Sequence, residues 1–165
     1  MVEQFSDYLR NNMSSLEQTG LIPFSEEYQH IETYLALERI RFPKTLDVVY
    51  NIEETGFRLP PLTVQPLVEN AVRHGVTKKR GGGAVTLSTH ATDNAFVITV
   101  ADTGRGFDPE HYADDGQIHI GISSVRERLR ILCGGTLTIK STPGSGTVAT
   151  VTIPKEEQIN DDPCS

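Results

Sequence analysis

The sequence predicts an α+β fold, a two-layer α/β sandwich in which helices cover one face of a mixed sheet. Three observations predict it. Apolar residues recur at helical spacing in three segments of the 165-residue chain, within 5–16, 61–75 and 122–132. Short alternating runs near 84–101 and 136–153 come in pairs joined by turn-forming residues. The order of segments is helices, strand, helix, hairpin, loop, helix, hairpin.

Taken in order, Phe5, Leu9, Met13 and Leu16, with Tyr8 beside them, form a helical stripe that Gly20 ends. Ser25 is a favourable N-cap for a second helix, with Glu26 and Glu27 in the first turn, where the macrodipole favours carboxylates. That helix runs to about Ile40 and stops before Pro43. Leu46, Val48 and Tyr50 alternate with Asp47, Val49 and Asn51 as a strand ending before Gly56. In 61–75, Val64, Leu67, Val68, Ala71 and Val72 make one buried stripe. Gln65, Glu69, Asn70, Arg73 and His74 occupy the other side, and Asn70 and His74, four apart, point the same way.

Two strands at 84–90 and 96–101 turn at Asp93-Asn94. Residues 102–119 carry Gly104, Gly106, Pro109 and Gly116 with little periodicity and predict a long loop. A helix follows with the stripe Ile122, Val125, Leu129 and Leu132, opposed by Arg126, Glu127, Arg128 and Arg130 and ended by Gly134-Gly135. Strands at 136–141 and 147–153 join through Pro143-Gly144-Ser145-Gly146, and the tail from Lys155 is polar.

Composition excludes several classes. With 37% hydrophobic and 22% charged residues the chain is ordinary for a soluble domain. A formal net charge of -7 argues against a nucleic-acid partner, and the longest basic run, Lys78-Lys79-Arg80, has no aromatic interleaved. No apolar stretch approaches the ~20 residues of a membrane span. Met1-Val2-Glu3-Gln4 lacks signal-peptide character. Cys133 and Cys164 form no disulfide framework and fit the reduced thiols of a cytosolic protein.

The chemistry concentrates in the long loop, since such loops usually serve a ligand. It opens from a strand as Asp102-Thr103-Gly104-Arg105-Gly106-Phe107. A carboxylate there can accept a hydrogen bond from an exocyclic amine, and the glycines let backbone approach a flat ligand. The loop ends at Ile120-Gly121-Ile122-Ser123-Ser124, where the N–H groups of a helix start would favour an anion such as phosphate. No Walker sequence is present, which excludes a P-loop mechanism. Each feature alone has a plainer reading. Asp-x-Gly-x-Gly can be a turn, Asn70 and His74 a solvated helix face, and Lys78-Lys79-Arg80 cations at a helix C-terminus.

Asn70, Asp102, Gly121 and Gly146 nonetheless occur in order, each at a junction of elements, and together they carry a resemblance. The run Gln65-Pro66-Leu67-Val68-Glu69-Asn70-Ala71-Val72-Arg73-His74-Gly75 resembles the asparagine box of the ATPase superfamily shared by gyrase, the heat-shock chaperone of the ninety class, mismatch-repair proteins and histidine kinases. Its Leu-Val-Glu-Asn-Ala form followed by His-Gly is similar to the autolysis and yes-type branch of sensor kinases. Asp102-x-Gly104-x-Gly106 resembles the first glycine box, and 121–129 the second with its following helix. Residues 133–154 resemble the closing hairpin, so the likeness covers about 5–155.

The resemblance implies a Bergerat ATP-binding fold over 21–155, a remnant of the dimerisation and phosphoacceptor region in 1–20, and a disordered tail in 156–165. It implies ATP and Mg as cofactors. Asn70 would coordinate the Mg²⁺ that bridges the phosphates, a hard cation suited to an amide oxygen. Asp102 would take the adenine amine, with Gly104 and Gly106 shaping the adenine wall and Thr147 supporting the same pocket. Arg73, His74 and the 78–80 run would contact phosphate or ribose, and Gly121 would give backbone to the phosphates. Asn70, through Mg, and His74 are the candidate catalytic groups.

The implied activity is transfer of the γ-phosphoryl group of ATP to a histidine, mainly by positioning and charge neutralisation. That histidine is expected on a separate helix, in a Pro-His-Phe context upstream of Met1. His30, flanked by Gln29 and Ile31, lacks this context and reads as a surface histidine. The implied partners are ATP and ADP, the phosphoacceptor domain of a homodimeric parent and a response regulator reached through that parent. The domain would be cytoplasmic and the parent a cell-membrane protein.

Two departures bear on the implied activity. His119 stands where the family commonly has glycine, so a side chain would stiffen the lid or add a phosphate donor. Pro66 lies one turn before Asn70, where ATP-hydrolysing relatives carry a water-activating Glu; this predicts feeble intrinsic hydrolysis. Two other readings of the fold stay open. One is a catalytically silent nucleotide-binding or interaction module, which His119 favours. The other is an ATPase driving conformational change, which Pro66 disfavours.

Overall fold

The computed structural model describes residues 20–108 and 116–156, with backbone alone for 116–120. The helix expected at 5–16 and the polar tail beyond 156 lie outside the described residues. A short strand, β1 (Ile22–Pro23), pairs antiparallel with β3 (Arg58–Leu59) and leads straight into helix α1 (Phe24–Arg41). Next come β2 (Leu46–Ile52), α2 (Gln65–Asn70), a π-helical turn (Ala71–Gly75) and a 3₁₀ turn (Val76–Lys78). The chain continues through β4 (Gly83–Ala91), β5 (Ala95–Asp102), α3 (Gly116–Cys133), β6 (Thr136–Thr142) and β7 (Gly146–Pro154).

The main sheet has five strands in the order β2-β4-β5-β7-β6. The β2–β4 pair is parallel and the others antiparallel, so the sheet is mixed as expected. Alternation assigns its two faces. Val85, Leu87, Ile98, Val100, Ala149, Val151 and Ile153 point inward and share one buried cluster with Ile31, Leu35, Val68, Val72, Val125 and Leu129 of the helices. Thr86, Ser88, Thr99 and Thr150, on the alternate positions, are only half-buried. A sheet with one covered and one wetter face reads this way.

Several helix boundaries differ from expectation. Ser25 does not cap α1; Pro23 occupies the cap position with no side-chain bond. The reason is aromatic burial beside a backbone bond. The Phe24 N–H donates to Phe57 O at 3.0 Å, and the Phe24 ring stacks on Phe57 with centroids 4.8 Å apart. Burying such a ring gives about 2–3 kcal/mol, more than the ~1 kcal/mol typical of a serine cap. Helix α2 starts at Gln65, not at 61, because Pro60, Pro61 and Leu62 form a turn in which Leu62 has φ 56°. Gln65 is buried, not on the polar face.

Helix α3 starts at Gly116, so the loop ends earlier than expected and Gly121 lies inside the helix. Nothing approaches within 4 Å of the Cβ position of Gly121, and a helical glycine costs only about 1 kcal/mol relative to alanine. The inward stripe of α3 ends on Cys133, 1% exposed, with Leu132 at 38%. Ile122, Val125, Leu129 and Cys133 follow a stripe that the step to Leu132 does not.

Candidate functional site

The elements converge on one cleft of about 470 Å³, counting its open mouth. Asn70, Ala71, His74 and Gly75 line it from the end of α2 and the π turn. Val100 and Asp102 come from β5, Gly106 and Phe107 from the loop after it, Ile122 from α3, Ile139 from β6, and Thr147 and Ala149 from β7. The lining is mostly apolar with a few convergent polar groups, the make-up of a small-molecule site.

The π turn sets the helical wall. The Val76 N–H reaches both Ala71 O and Val72 O, which adds a residue to the turn. The Thr77 hydroxyl adds a second donor to Val72 O at 2.8 Å and also reaches Arg73 O at 3.1 Å, tying down the last carbonyls of the turn. Gly75 follows at the closest approach to the sheet, and a Cβ there would stand 2.7 Å from Asp102 Oδ1. Gly104 lies behind, packed on the Gly75 backbone, where a Cβ has no room.

Asp102 is the last residue of β5 and 7% exposed. Its Oδ1 accepts the Gly104 N–H at 2.8 Å. Burial pushes its carboxyl up to about 6; the Gly104 and Thr147 N–H groups and the Lys79 charge hold it back from rising further. At neutral pH this is a desolvated carboxylate, a strong acceptor for an N–H donor.

The rim is stitched together. The Arg105 N–H donates to Gly75 O at 3.2 Å, and the Gly144 N–H to Arg105 O at 2.6 Å. The Phe107 N–H donates to Ser141 Oγ at 2.9 Å, and Ser141 Oγ lies 2.7 Å from Thr147 Oγ1. Lys79 Nζ donates to Thr103 O at 2.9 Å and to Gly144 O at 3.3 Å.

Residues 60–157 match the family described as histidine kinase-, DNA gyrase B- and HSP90-like ATPases. The chain belongs to that ATPase family. Residues 1–46 also match the family described as histidine kinase. The chain is 36% identical to the Escherichia coli sensor histidine kinase YpdA over 85% of its own length and 26% of YpdA. It is 40% identical to the Bacillus subtilis protein YwpD over 93% of its length, spanning 57% of that relative. The histidine kinase domain of an Erythrobacter litoralis blue-light activated kinase shares the fold, with a TM-score of 0.66 at 19% identity, over 97% of this chain and 78% of that one. By these likenesses it is an ATP-binding catalytic domain of the sensor histidine kinase type.

Within this ATPase domain the cleft brings together five of the residues singled out from sequence: Asn70, His74, Asp102, Gly106 and Thr147. Gly104 shapes it from behind. Arg73 is exposed and does not line it. Lys79 is engaged as a tether between two loops, while Lys78 and Arg80 are exposed. Gly121 also falls outside the lining, within the second turn of α3, where backbone N–H groups bond inside the helix. The helix start expected to hold an anion there is at Gly116 instead. The side chain of His119 lies outside the described ones.

Sequence reasoning missed Phe107, Ile139, Ala149 and Ser141. Ile139 and Ala149 were readable as inward-facing strand positions, whereas nothing local marks Phe107 or Ser141. Among the described residues no group of three or more His, Cys, Asp or Glu gathers to hold a metal ion. Asn70 is the cleft residue with a side-chain amide oxygen. No helix among the described residues is long and apolar enough to cross a membrane.

Proposed function

We propose that this domain transfers the γ-phosphoryl group of ATP to a histidine on a separate phosphoacceptor domain of its parent. The observation that carries the reading is the presence of Asp102 and Asn70 in one cleft whose lining is otherwise mostly apolar. Asp102 accepts the exocyclic amine of adenine. Val100, Ile139 and Ala149 cover a face of the base, and Gly106 lets backbone come close to it. Thr147 steadies Asp102 through its N–H and the rim through its hydroxyl.

The cleft residues fit a magnesium nucleotide. Asn70 would hold Mg²⁺ by its amide oxygen, and a single protein ligand suits a cation bound chiefly through phosphates and water. Bound there, the ion neutralises phosphate charge. His74, one turn further along the same wall, faces the phosphate or ribose and is the second candidate catalytic group. Arg73 and Gly121 enter this reading only if the exposed guanidinium swings in and the start of α3 unwinds.

The parent is read as a homodimeric membrane sensor kinase serving a response regulator. Residues 1–20 would come from its helical dimerisation region, 21–155 would form the ATP-binding domain, and 156–165 a tail. The match of residues 1–46 to the histidine kinase family supports a kinase-type parent for the N-terminal segment. The test is incubation of the chain with γ-labelled ATP and a separately made histidine-bearing domain. Label that is acid-labile on that domain, and lost with Asp102→Asn, is the expected result. ATP bound without transfer favours the silent module, and no binding ends the nucleotide reading.

A further inference from the structure

Outside the lining of the cleft, a buried acid, Glu27, and a half-buried cation, Arg128, bracket one turn of the chain. Glu27, on the first turn of α1, is 1% exposed. Its Oε1 accepts the N–H groups of Val64 at 3.0 Å and Gln65 at 3.2 Å, the first donors of α2. A carboxylate on those N–H groups also meets the positive end of the helix. Arg128, half-buried on α3, donates from its two terminal nitrogens to the carbonyls of Pro61 and Leu62. The turn between them carries the strain: Leu62 has φ 56°, a left-handed conformation unfavourable for a branched side chain.

We propose that Glu27 and Arg128 are positioning residues that clamp the strained turn before α2 from two sides and so fix where Asn70 stands in the cleft. The helix is only six residues long, from Gln65 to Asn70, so a shift at its start moves the amide at its end. The clamp also joins three helices. Glu27 belongs to α1, while Arg128 shares α3 with Ile122, which lines the cleft. A movement of α1 therefore reaches Asn70 without touching the nucleotide, and a movement of α3 reaches it by a second route besides Ile122.

The pair is a poor stabiliser by itself. Among the described residues, Glu27 Oε2 and Arg128 Nε are buried without a hydrogen-bond partner. Buried charges left partly unsatisfied often add less than apolar packing would. What the pair secures is the conformation of the turn. Arginine suits the turn because its planar fork donates from two separate nitrogens to the two adjacent carbonyls.

The inference rests on the nucleotide reading for the role of Asn70, and the test separates the two. Amide exchange of 64–70 and of β5 is measured in the nucleotide-free chain for wild type, Glu27→Ala, Glu27→Gln and Arg128→Met. Affinities for Mg-ATP and for ADP in chelator follow. Glu27→Ala and Arg128→Met should speed exchange at 64–70 at least tenfold and leave β5 unchanged. They should weaken Mg-ATP at least tenfold, with metal-free ADP within threefold. Glu27→Gln, which keeps the acceptor oxygen, should restore both. Unchanged exchange at 64–70, an equal rise in β5, or equal loss of both ligands overturns the proposal. If wild type binds no nucleotide, the nucleotide reading fails and the exchange result alone decides the clamp.

Discussion

Gly75 and Asp102 stand so close that a methyl group on Gly75 would lie 2.7 Å from Asp102 Oδ1. The contact joins the helical wall of the cleft to the sheet and leaves no tolerance for a side chain. Gly75→Ala is therefore expected to displace the carboxylate, destabilise the fold by about 1–3 kcal/mol from overpacking, and abolish nucleotide binding. Calorimetry with Mg-ATP beside a denaturation curve checks it. Wild-type affinity in the variant would show that the carboxylate is not what the nucleotide needs.

Asp102 also makes binding pH-dependent. Burial raises its carboxyl to about 6, so it is charged at pH 7.5 and largely protonated at pH 5. An adenine amine favours the charged acceptor. Affinity for ADP should thus fall as pH drops through about 6, by roughly tenfold between pH 7.5 and 5, given 1.36 kcal/mol per unit of coupled shift. Asp102→Asn should bind weakly at both values with no such slope. An equal slope in the variant would assign the titration elsewhere.

The sequence carried the sheet and the cleft unevenly, for physical reasons. Strands were legible because alternation is local: Val85, Leu87, Ile98 and Val100 each declare a face. Asn70, Asp102 and Gly106, which line the cleft, were legible because they stand at junctions of elements and carry the family resemblance. Boundaries set by distant partners were not. Pro23 precedes α1 in place of Ser25 because Phe24 finds the ring of Phe57, and α2 waits until Gln65 because Glu27 caps it there. Glu27 looked like an ordinary first-turn acid, and Arg128 like one cation among several on a solvated face. Only the packing of α1, α2 and α3 brings them inside.

Glu27 predicts a second, opposite dependence on pH, in stability. Burial raises its carboxyl from 4.5 to about 7, with the Gln65, Val64 and Thr63 N–H groups and Arg128 limiting the rise. The folded state then binds more protons than the unfolded one between those values. Stability from this group is fully present below about 4.5 and is lost as pH rises through about 7. The loss is on the order of 3 kcal/mol at most. Urea midpoints of wild type and Glu27→Gln compared from pH 5 to 8 isolate it. The difference between the two should change steadily across that window; a constant difference would mean that Glu27 does not titrate there.

Lys79 offers a choice between two roles that the basic run 78–80 left open. Its Nζ bridges Thr103 O and Gly144 O, so it ties the first glycine loop to the β6–β7 turn, and its charge also stabilises the Asp102 carboxylate. Lys79→Met removes both bonds, at a cost of about 1 kcal/mol or less because both are exposed and water replaces the donor. As a tether, Lys79 acts on the adenine end of the cleft, so the variant should weaken adenosine, ADP and ATP by similar factors. As a phosphate ligand it would weaken ATP far more than adenosine. Titrating the three ligands into wild type and variant distinguishes the roles, and a loss confined to ATP would overturn the tether.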